Sequence, residues 1–382
     1  MSRSLRAFTV VSHAVLAGDR DNFGSAHNVV EFLVGRGSDV DFILHPLSAS
    51  GAGFIRRFRN GRVVDEQRIA YGPVSRVSEA LYNARRAARD EAEVLICVDP
   101  VNVATAGVVR KLRRRGLVVY YTVDYADQRF TNELTNRLYH ALDRTALQTA
   151  DVVWNVSRRI VEKRREQGVP EEDNVLVPNS PGFEPEAIVP FEARTPESVV
   201  MVGWLDPILD DRMLLDCIEL VRRTRPELEV TIVGTGSGES LFREEVTRRG
   251  LGRYIHVTGH LPRADALAIV RRHRVGLALY SGRASWNEYG DPVKIREYLS
   301  LGVPVVTTRS HALTSELEAR GAGTVVEDAA QAAAAIDALL GTDGARVAHR
   351  AAEMGRAYDR EAILEAAVDD LARRFDARKD LK

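Results

Sequence analysis

The chain alternates short, wholly apolar runs with helical patterns, and it does so in two successive series. In the first half the runs are Ala7–Val11, Val40–Leu44, Val94–Val98, Leu117–Thr122 and Val152–Val156. Helical patterns lie between and after them, near Ser25–Gly35, Val74–Arg89, Val103–Arg115, Asn132–Thr149 and Ser157–Gln167. Strands apolar on both faces suit a parallel sheet covered on both sides, and alternation with helices predicts βαβ crossovers and a doubly wound fold. One departure is the pair Phe54–Arg59 and Arg62–Ile69 joined by Asn60-Gly61, which predicts an inserted hairpin. From Val177 the sequence reads VPNSPGFEPEAIVPFEARTPES, proline-rich and without helical period, which suits a linker. The rhythm then restarts. Strands are expected at Val199–Val202, Val230–Val233, Ile255–Val257, Val275–Leu279, Val303–Thr307 and Thr324–Val326, with helices at Met213–Arg223, Leu241–Arg248, Ala264–Arg272, Val293–Leu301 and Gln331–Leu340. The expected architecture is α/β, with two Rossmann-like doubly wound domains over residues 1–190 and 191–360. A last helix within 361–382 has too few neighbours in its own domain and is expected to cross back to the first. Ligands of open α/β sheets bind at the carboxyl ends of the strands, so two such edges facing across a cleft would make an interdomain site.

Composition narrows the function. The 382 residues carry 53 Lys+Arg against 54 Asp+Glu, a formal charge of −1, which argues against a dedicated nucleic-acid binder. Two cysteines, Cys97 and Cys217, cannot build a disulfide framework or a Cys-rich zinc site and read as buried, inert thiols. No apolar run reaches the roughly 18 residues of a membrane span. The stretch Ala7–Ala17 after Arg3 and Arg6 resembles a signal peptide, but Ser12 and His13 interrupt it and a first strand is the better reading, placing the chain in the cytoplasm. No phosphate-binding Gly-x-x-x-x-Gly-Lys loop, nucleophile elbow or His-Glu-x-x-His occurs. Asp39-Val40-Asp41 has the Asp-x-Asp form of some metal sites, yet reads better as a solvated strand start. The basic stretches Arg110–Arg115 and Arg158–Arg165 have a plain reading, a solvated face, and a sharper one, peripheral docking on anionic lipid at the inner face of the membrane.

The segment Tyr289 to Val306, YGDPVKIREYLSLGVPVV, carries the most chemistry. Gly290-Asp291-Pro292 is a turn, and Pro292 suits the first position of a helix running on through Val293. Such a helix presents free N–H groups and a positive dipole end to a phosphate. Lys294 in the first turn opposes that dipole, which an anionic ligand would explain. Glu297 lies on the same face, one turn on, where a carboxylate can accept two hydrogen bonds from a ribose diol. An amphipathic helix with an i,i+3 ion pair accounts for the same residues without a ligand.

The segment resembles the nucleotide-sugar motif of GT-B glycosyltransferases, particularly the retaining family 4 group, Pro-x-Lys-x-x-Glu-Tyr-Leu-Ala-x-Gly-x-Pro-Val-Val. Val199–Gly203, Leu228–Gly236 with its Gly-x-Gly at Gly234, and Ile255–Leu261 (IHVTGHL) resemble the family's strands and donor loops in order. Val177-Pro178-Asn179 and Ala150-Asp151 followed by Ser157 resemble further signatures of the first domain. The resemblance implies a GT-B fold and transfer of a sugar from a nucleotide diphosphate sugar (UDP or GDP type) to an unknown acceptor. It also implies retention of configuration, no metal and no other cofactor. The donor would meet Gly203, Trp204, Gly234, His260, Leu261, Asp291, Pro292, Val293, Lys294 and Glu297. Three departures stand out. Eight residues before Glu297, where the family has a second glutamate, stands Tyr289 with Glu288 displaced by one. The Gly-Arg and Lys that clamp the diphosphate are replaced by Gly203-Trp204, Asp206, Pro207 and Leu209, leaving Lys294, Arg212 and Arg283 as available cations. The histidine after the fifth strand is replaced by Asp124.

In the first domain the loop Gly18–Ser25 would let Gly24 and Ser25 bring backbone to a ligand, or simply start a capped helix. Asp124 and Asp127 follow a strand's carboxyl end, and with Glu288 and Arg283 they are the catalytic candidates. Two rivals remain open at this level: a sugar-nucleotide epimerase on the same fold, and a non-catalytic nucleotide-sugar-binding protein.

Overall fold

The computed structural model describes the whole chain except residues 1–4, 15, 18–19, 22–23, 48–52, 70–74, 207–208, 282–287 and 381–382. The chain divides into two units, Met1–Pro178 with Glu361–Lys382, and Asn179–Arg360. Residues 179–190, expected at the end of the first domain, thus group with the second unit.

The first unit holds an eight-stranded sheet: β1 (Ala7–Ala14), β2 (Asp39–Pro46), β3 (Gly53–Arg59), β4 (Arg62–Ile69), β5 (Val94–Val98), β6 (Leu117–Thr122), β7 (Val152–Asn155) and β8 (Asn174–Leu176). Its order is β8-β7-β6-β5-β1-β2-β3-β4. All pairs are parallel except β2–β3 and β3–β4, the inserted hairpin. The hairpin turns at Asn60 (φ 50°) and Gly61 (φ 75°), two left-handed residues whose twist matches that of the strands. The whole of β5 and β6 is buried, as their unbroken apolar runs require. The core joins Val11, Ile43, Leu95, Val118, Tyr120 and Val153. Helices α1 (Ser25–Gly35), α2 (Ser75–Arg89), α3 (Glu133–Thr149) and α4 (Arg158–Glu166) lie between strands. The single helix expected over Val103–Arg115 is instead Pro100–Asn102, a π-helical turn Val103–Gly107 and Val108–Leu112.

The basic stretches are partly structural. Arg110 is fully buried, donating to the Asp90 and Ala92 carbonyls. Lys111 donates to the Gln148 carbonyl, and Arg113–Arg115 lead into the amino end of β6, away from the strands' carboxyl edge. Arg164 is also fully buried, against Asp143. No helix among the described residues is long and apolar enough to cross a membrane.

The second unit holds a parallel six-stranded sheet: β9 (Ser198–Val202), β10 (Glu229–Val233), β11 (Ile255–Gly259), β12 (Val275–Ala278), β13 (Val305–Thr308) and β14 (Gly323–Val326), in the order β11-β10-β9-β12-β13-β14. Helices α5 (Asp211–Thr224), α6 (Glu239–Arg248), α7 (Arg263–Val270), α8 (Val293–Ser300), α9 (Thr314–Arg320), α10 (Ala329–Leu340) and α11 (Gly344–Ala357) accompany it. The proline-rich stretch is tied down inside this unit by Arg194, buried and donating to the Val189 and Leu301 carbonyls. The final helix, α12 (Arg360–Asp380), belongs from Glu361 to the first unit, where it buries Leu364, Val368 and Leu371. There Arg374 reaches Asp173 at 2.5 Å and Arg378 the Gly116 carbonyl at 2.9 Å.

Candidate functional site

In the second unit α8 starts one residue later than the turn chemistry suggests. Pro292 is the N-cap rather than the first helical residue, because its carbonyl accepts the Ile295 and Arg296 N–H groups. No side chain caps this end. Glu297 is only 3% exposed, yet its carboxylate holds two cations, Lys294 Nζ at 3.1 Å and Arg263 Nε at 2.9 Å. The i,i+3 pair of the ligand-free reading is therefore present. Arg263 is the addition: it opens α7, directly after the His260-Leu261-Pro262 loop, and no sequence signal joins it to a residue 34 positions on.

Asp291 has a different occupation from the donor contact expected of it. Its carboxylate accepts from Arg296 Nε at 2.7 Å and from the Asn179 N–H at 2.7 Å, all inside the unit. Burial pushes its pKa up, against the Arg296 charge and these hydrogen bonds. Arg296 in turn lies 4.3 Å from the Tyr358 ring centroid. Asp291 thus fixes the start of α8 to the incoming chain.

Gly234 and Gly203 pack on each other. A Cβ on Gly234 (φ 153°) would lie 1.8 Å from the Gly203 carbonyl oxygen, so this glycine of the Gly-x-Gly is needed by the fold itself. Trp204 follows Gly203 and is 66% exposed at the carboxyl end of β9. Beside these loops lies a cavity of about 540 Å³ lined by Leu205, Asp206, Asp210, Arg212, Ser237 and Gly238. Arg212 pairs with Asp216 at 3.8 Å. His260 is exposed and Leu261 half-buried. Of the two residues competing for the family's first glutamate position, Tyr289 is buried and Glu288 exposed. Arg283 lies outside the described residues.

In the first unit Gly24, not Ser25, caps α1, and the Gly24 N–H is satisfied by His27 Nδ1 at 3.1 Å. Asp124 pairs with Arg129 at 2.7 Å, and Asp127 with Lys163 at 2.8 Å. Asp41, expected in a solvated strand start, is instead buried and taken by Arg59 at 2.7 Å and by Arg86. The two thiols are buried, and burial pushes Cys217 up to about 12.

A polar network that no local motif announces lies at the carboxyl ends of β1, β2 and β5. His13 Nδ1 meets Asp99 at 2.5 Å and its Nε2 meets Glu79 at 3.1 Å. Its ring centroid is 5.3 Å from that of His45. Burial pulls His13 down, but Asp99 and Glu79 outweigh it and raise the pKa to about 9. Burial, and then the His13 charge, lower His45 to about 4. The stability that His13 contributes is therefore complete below its unfolded value of 6.5 and fades as pH rises through about 9. That of His45 is complete above 6.5 and lost as pH falls through about 4. Between pH 6 and 9.5 the wild type should lose up to about 3 kcal/mol that a His13→Gln variant does not lose, as read by urea unfolding at both pH values. Equal pH slopes for the two proteins would refute the assignment.

Residues 196–342 match the family described as glycosyl transferases group 1. By structure the chain is similar to HepE of Anabaena in its complex with UDP, at 14% identity and a TM-score of 0.69, covering 96% of this chain and 99% of that one. It is similar to sucrose-phosphate synthase of Thermosynechococcus elongatus, at 16% identity and a TM-score of 0.68, covering 97% and 99%. It is also similar to α,α-trehalose 6-phosphate synthase of Burkholderia multivorans, at 14% identity and a TM-score of 0.66, covering 98% and 99%. No curated protein matches the chain by sequence. The architecture of two Rossmann-like domains is that of GT-B proteins. With the group 1 match over the second unit, the chain is a glycosyltransferase.

Proposed function

We propose that the chain transfers a sugar from a UDP-type nucleotide sugar to a hydroxyl acceptor, with retention of configuration and without a metal ion. The observation that carries the donor assignment is Glu297, a buried carboxylate holding Lys294 and Arg263 beside a helix start that no side chain caps. In this reading Glu297 accepts the two ribose hydroxyls, and its two cations orient it for them. Lys294 and the first N–H groups of α8 meet the diphosphate, where they stabilise the charge that develops as the sugar leaves. Glu288 is the carboxylate assigned to the transferred sugar. The complex of HepE with UDP supports a uracil base. Calorimetry with UDP, followed by a transfer assay over an acceptor panel, tests the proposal. Failure of UDP and UDP-sugars to bind, or conversion of the donor sugar without any acceptor, would overturn it.

Two further outcomes are expected. Lys294→Met keeps the aliphatic stem and deletes the charge. Affinity for UDP should fall about 10-fold while affinity for uridine hardly changes. Equal losses for uridine and UDP in calorimetry would remove Lys294 from the phosphate. Transfer activity should survive millimolar EDTA; full loss restored by Mg²⁺ or Mn²⁺ would contradict the metal-free mechanism.

A further inference from the structure

The crossovers β4–β5, β5–β6 and β6–β7 all move in one direction along the first sheet. Right-handed connections therefore put α2, the helical stretch Pro100–Leu112 and α3 on the same face of it. The stretch packs between α2 and α3, so the three form one layer. The inner side of the layer is buried: Ala87, Val103, Ala106 and Ala146 join the core. The outer side carries aliphatic groups as well. Val77 and Leu81 on α2, Leu112 at the end of the stretch, and Leu134 and Leu138 on α3 are each more than half exposed. Val77 with Leu81, and Leu134 with Leu138, stand four residues apart and share a helix face. A single exposed aliphatic needs no explanation, but five on three adjacent helices do. Among the described residues, the seven helices of the second unit expose two, Leu241 and Val293.

The charges on the same side are of one sign. Arg85 and Arg89 continue the stripe of Val77 and Leu81 at four-residue steps, and Arg144 follows Leu134 and Leu138 on α3. All three are exposed and have no ion-pair partner among the described residues. Of the three carboxylates that these helices carry, Glu79 and Asp143 are buried, and the exposed one, Glu133, is paired with Arg137. Arginines near helix carboxyl ends suit the helix dipole, which accounts for the charges but not for the bare leucines beside them.

We propose that the outer face of this layer is a docking surface for an anionic lipid bilayer. The aliphatic side chains enter the boundary between headgroups and acyl chains, and the arginines, on long stems that keep the guanidinium at headgroup level, meet the lipid phosphates. Charge decides the occupant. A second copy in a two-fold contact would set these arginines against themselves, with one exposed carboxylate per chain to offset them. An anionic bilayer complements the arginines and takes the leucines too. Arg110 and Arg164, from the basic stretches, are buried and have no part in it.

The test is sedimentation of the full chain with vesicles of phosphatidylcholine, alone or with about 30% phosphatidylglycerol, at about 0.1 M and about 0.5 M NaCl. The chain should pellet with the anionic vesicles, less so at the higher salt, and stay in solution with phosphatidylcholine. Arg85→Gln, Arg89→Gln and Arg144→Gln together should weaken partitioning about 100-fold, the loss for three cations at an anionic leaflet. Leu81→Gln with Leu138→Gln, which keeps every charge and the helix propensity, should weaken it about 10-fold. Leu241→Gln on the second unit should change nothing. Circular dichroism checks that each variant is folded, and Val77→Gln with Leu134→Gln repeats the measurement on the same two stripes should the leucine pair unfold. A wild type that stays in solution with anionic vesicles, equal binding to both kinds of vesicle, or full affinity in the aliphatic variants would overturn the proposal. So would a dimer in sedimentation velocity that Leu81→Gln with Leu138→Gln abolishes, since the face would then belong to a second copy.

Discussion

Asp143→Leu should destabilise the first unit by about 3–5 kcal/mol, because it strands a fully buried guanidinium. Arg164 makes a two-armed contact with Asp143, Nη1 at 2.5 Å and Nη2 at 2.8 Å, and neither side chain is exposed by more than 1%. Tyr120 adds its hydroxyl to the same carboxylate at 2.7 Å, and the Tyr120 and Tyr125 rings flank the guanidinium. The pair ties α3, α4 and β6 together directly under the loop that carries Asp124 and Asp127. Replacing both partners, Asp143→Leu with Arg164→Met, should recover most of the loss, since the desolvation cost of two ions disappears with their attraction. Urea unfolding followed by circular dichroism reads both variants, with the units' transitions fitted separately. A single variant within 1 kcal/mol of the wild type would show that the buried ion pair is dispensable.

Glu297→Ala should weaken binding of UDP about 10- to 100-fold, the loss of a charged hydrogen-bond acceptor to the ribose. The same loss should appear with uridine, which has the ribose and lacks the phosphates. That pattern is the opposite of the one expected for Lys294→Met, and the two variants together separate the ribose contact from the phosphate contact. Removing Glu297 also releases Lys294 and Arg263, so inorganic pyrophosphate should bind no worse than to the wild type. Calorimetry with the three ligands decides. Unchanged affinity for uridine would take Glu297 out of the nucleoside site and leave it as the tether of two cations.

The strands were readable because burial on both faces leaves its mark on every residue: β5 is five apolar residues in a row, all buried. The hairpin was readable because only its turn needs two left-handed residues, and Asn60-Gly61 supplies them. Helix α11 was not. Its buried positions Val347, Ala348, Ala351, Met354 and Gly355 keep a helical period, but small residues make a faint stripe. The reason is close packing: a Cβ on Gly355 would lie 2.4 Å from the Leu299 carbonyl oxygen of α8. The donor helix was legible from its own local order of Pro292, Lys294 and Glu297. The contacts that complete the sites were not, since Arg263 to Glu297 spans 34 residues and His13 to Asp99 spans 86. Local sequence records which face of an element is buried, and carries no trace of which distant side chain shares its pocket.

The return of α12 to the first unit bears on how the molecule is made. A ribosome delivers the chain from its amino end, and domains of multidomain chains generally fold in that order. Here the earliest residues wait. Met1–Pro178 lacks a helix that arrives only with Glu361–Lys382, whereas Asn179–Arg360 is uninterrupted and has every residue it needs as soon as Arg360 emerges. The unit begun second is therefore the one able to finish first. A nonsense codon just after Arg360 would spare the unit most recently translated and harm the one translated earliest, by uncovering the surface that Leu364, Val368 and Leu371 would have sealed.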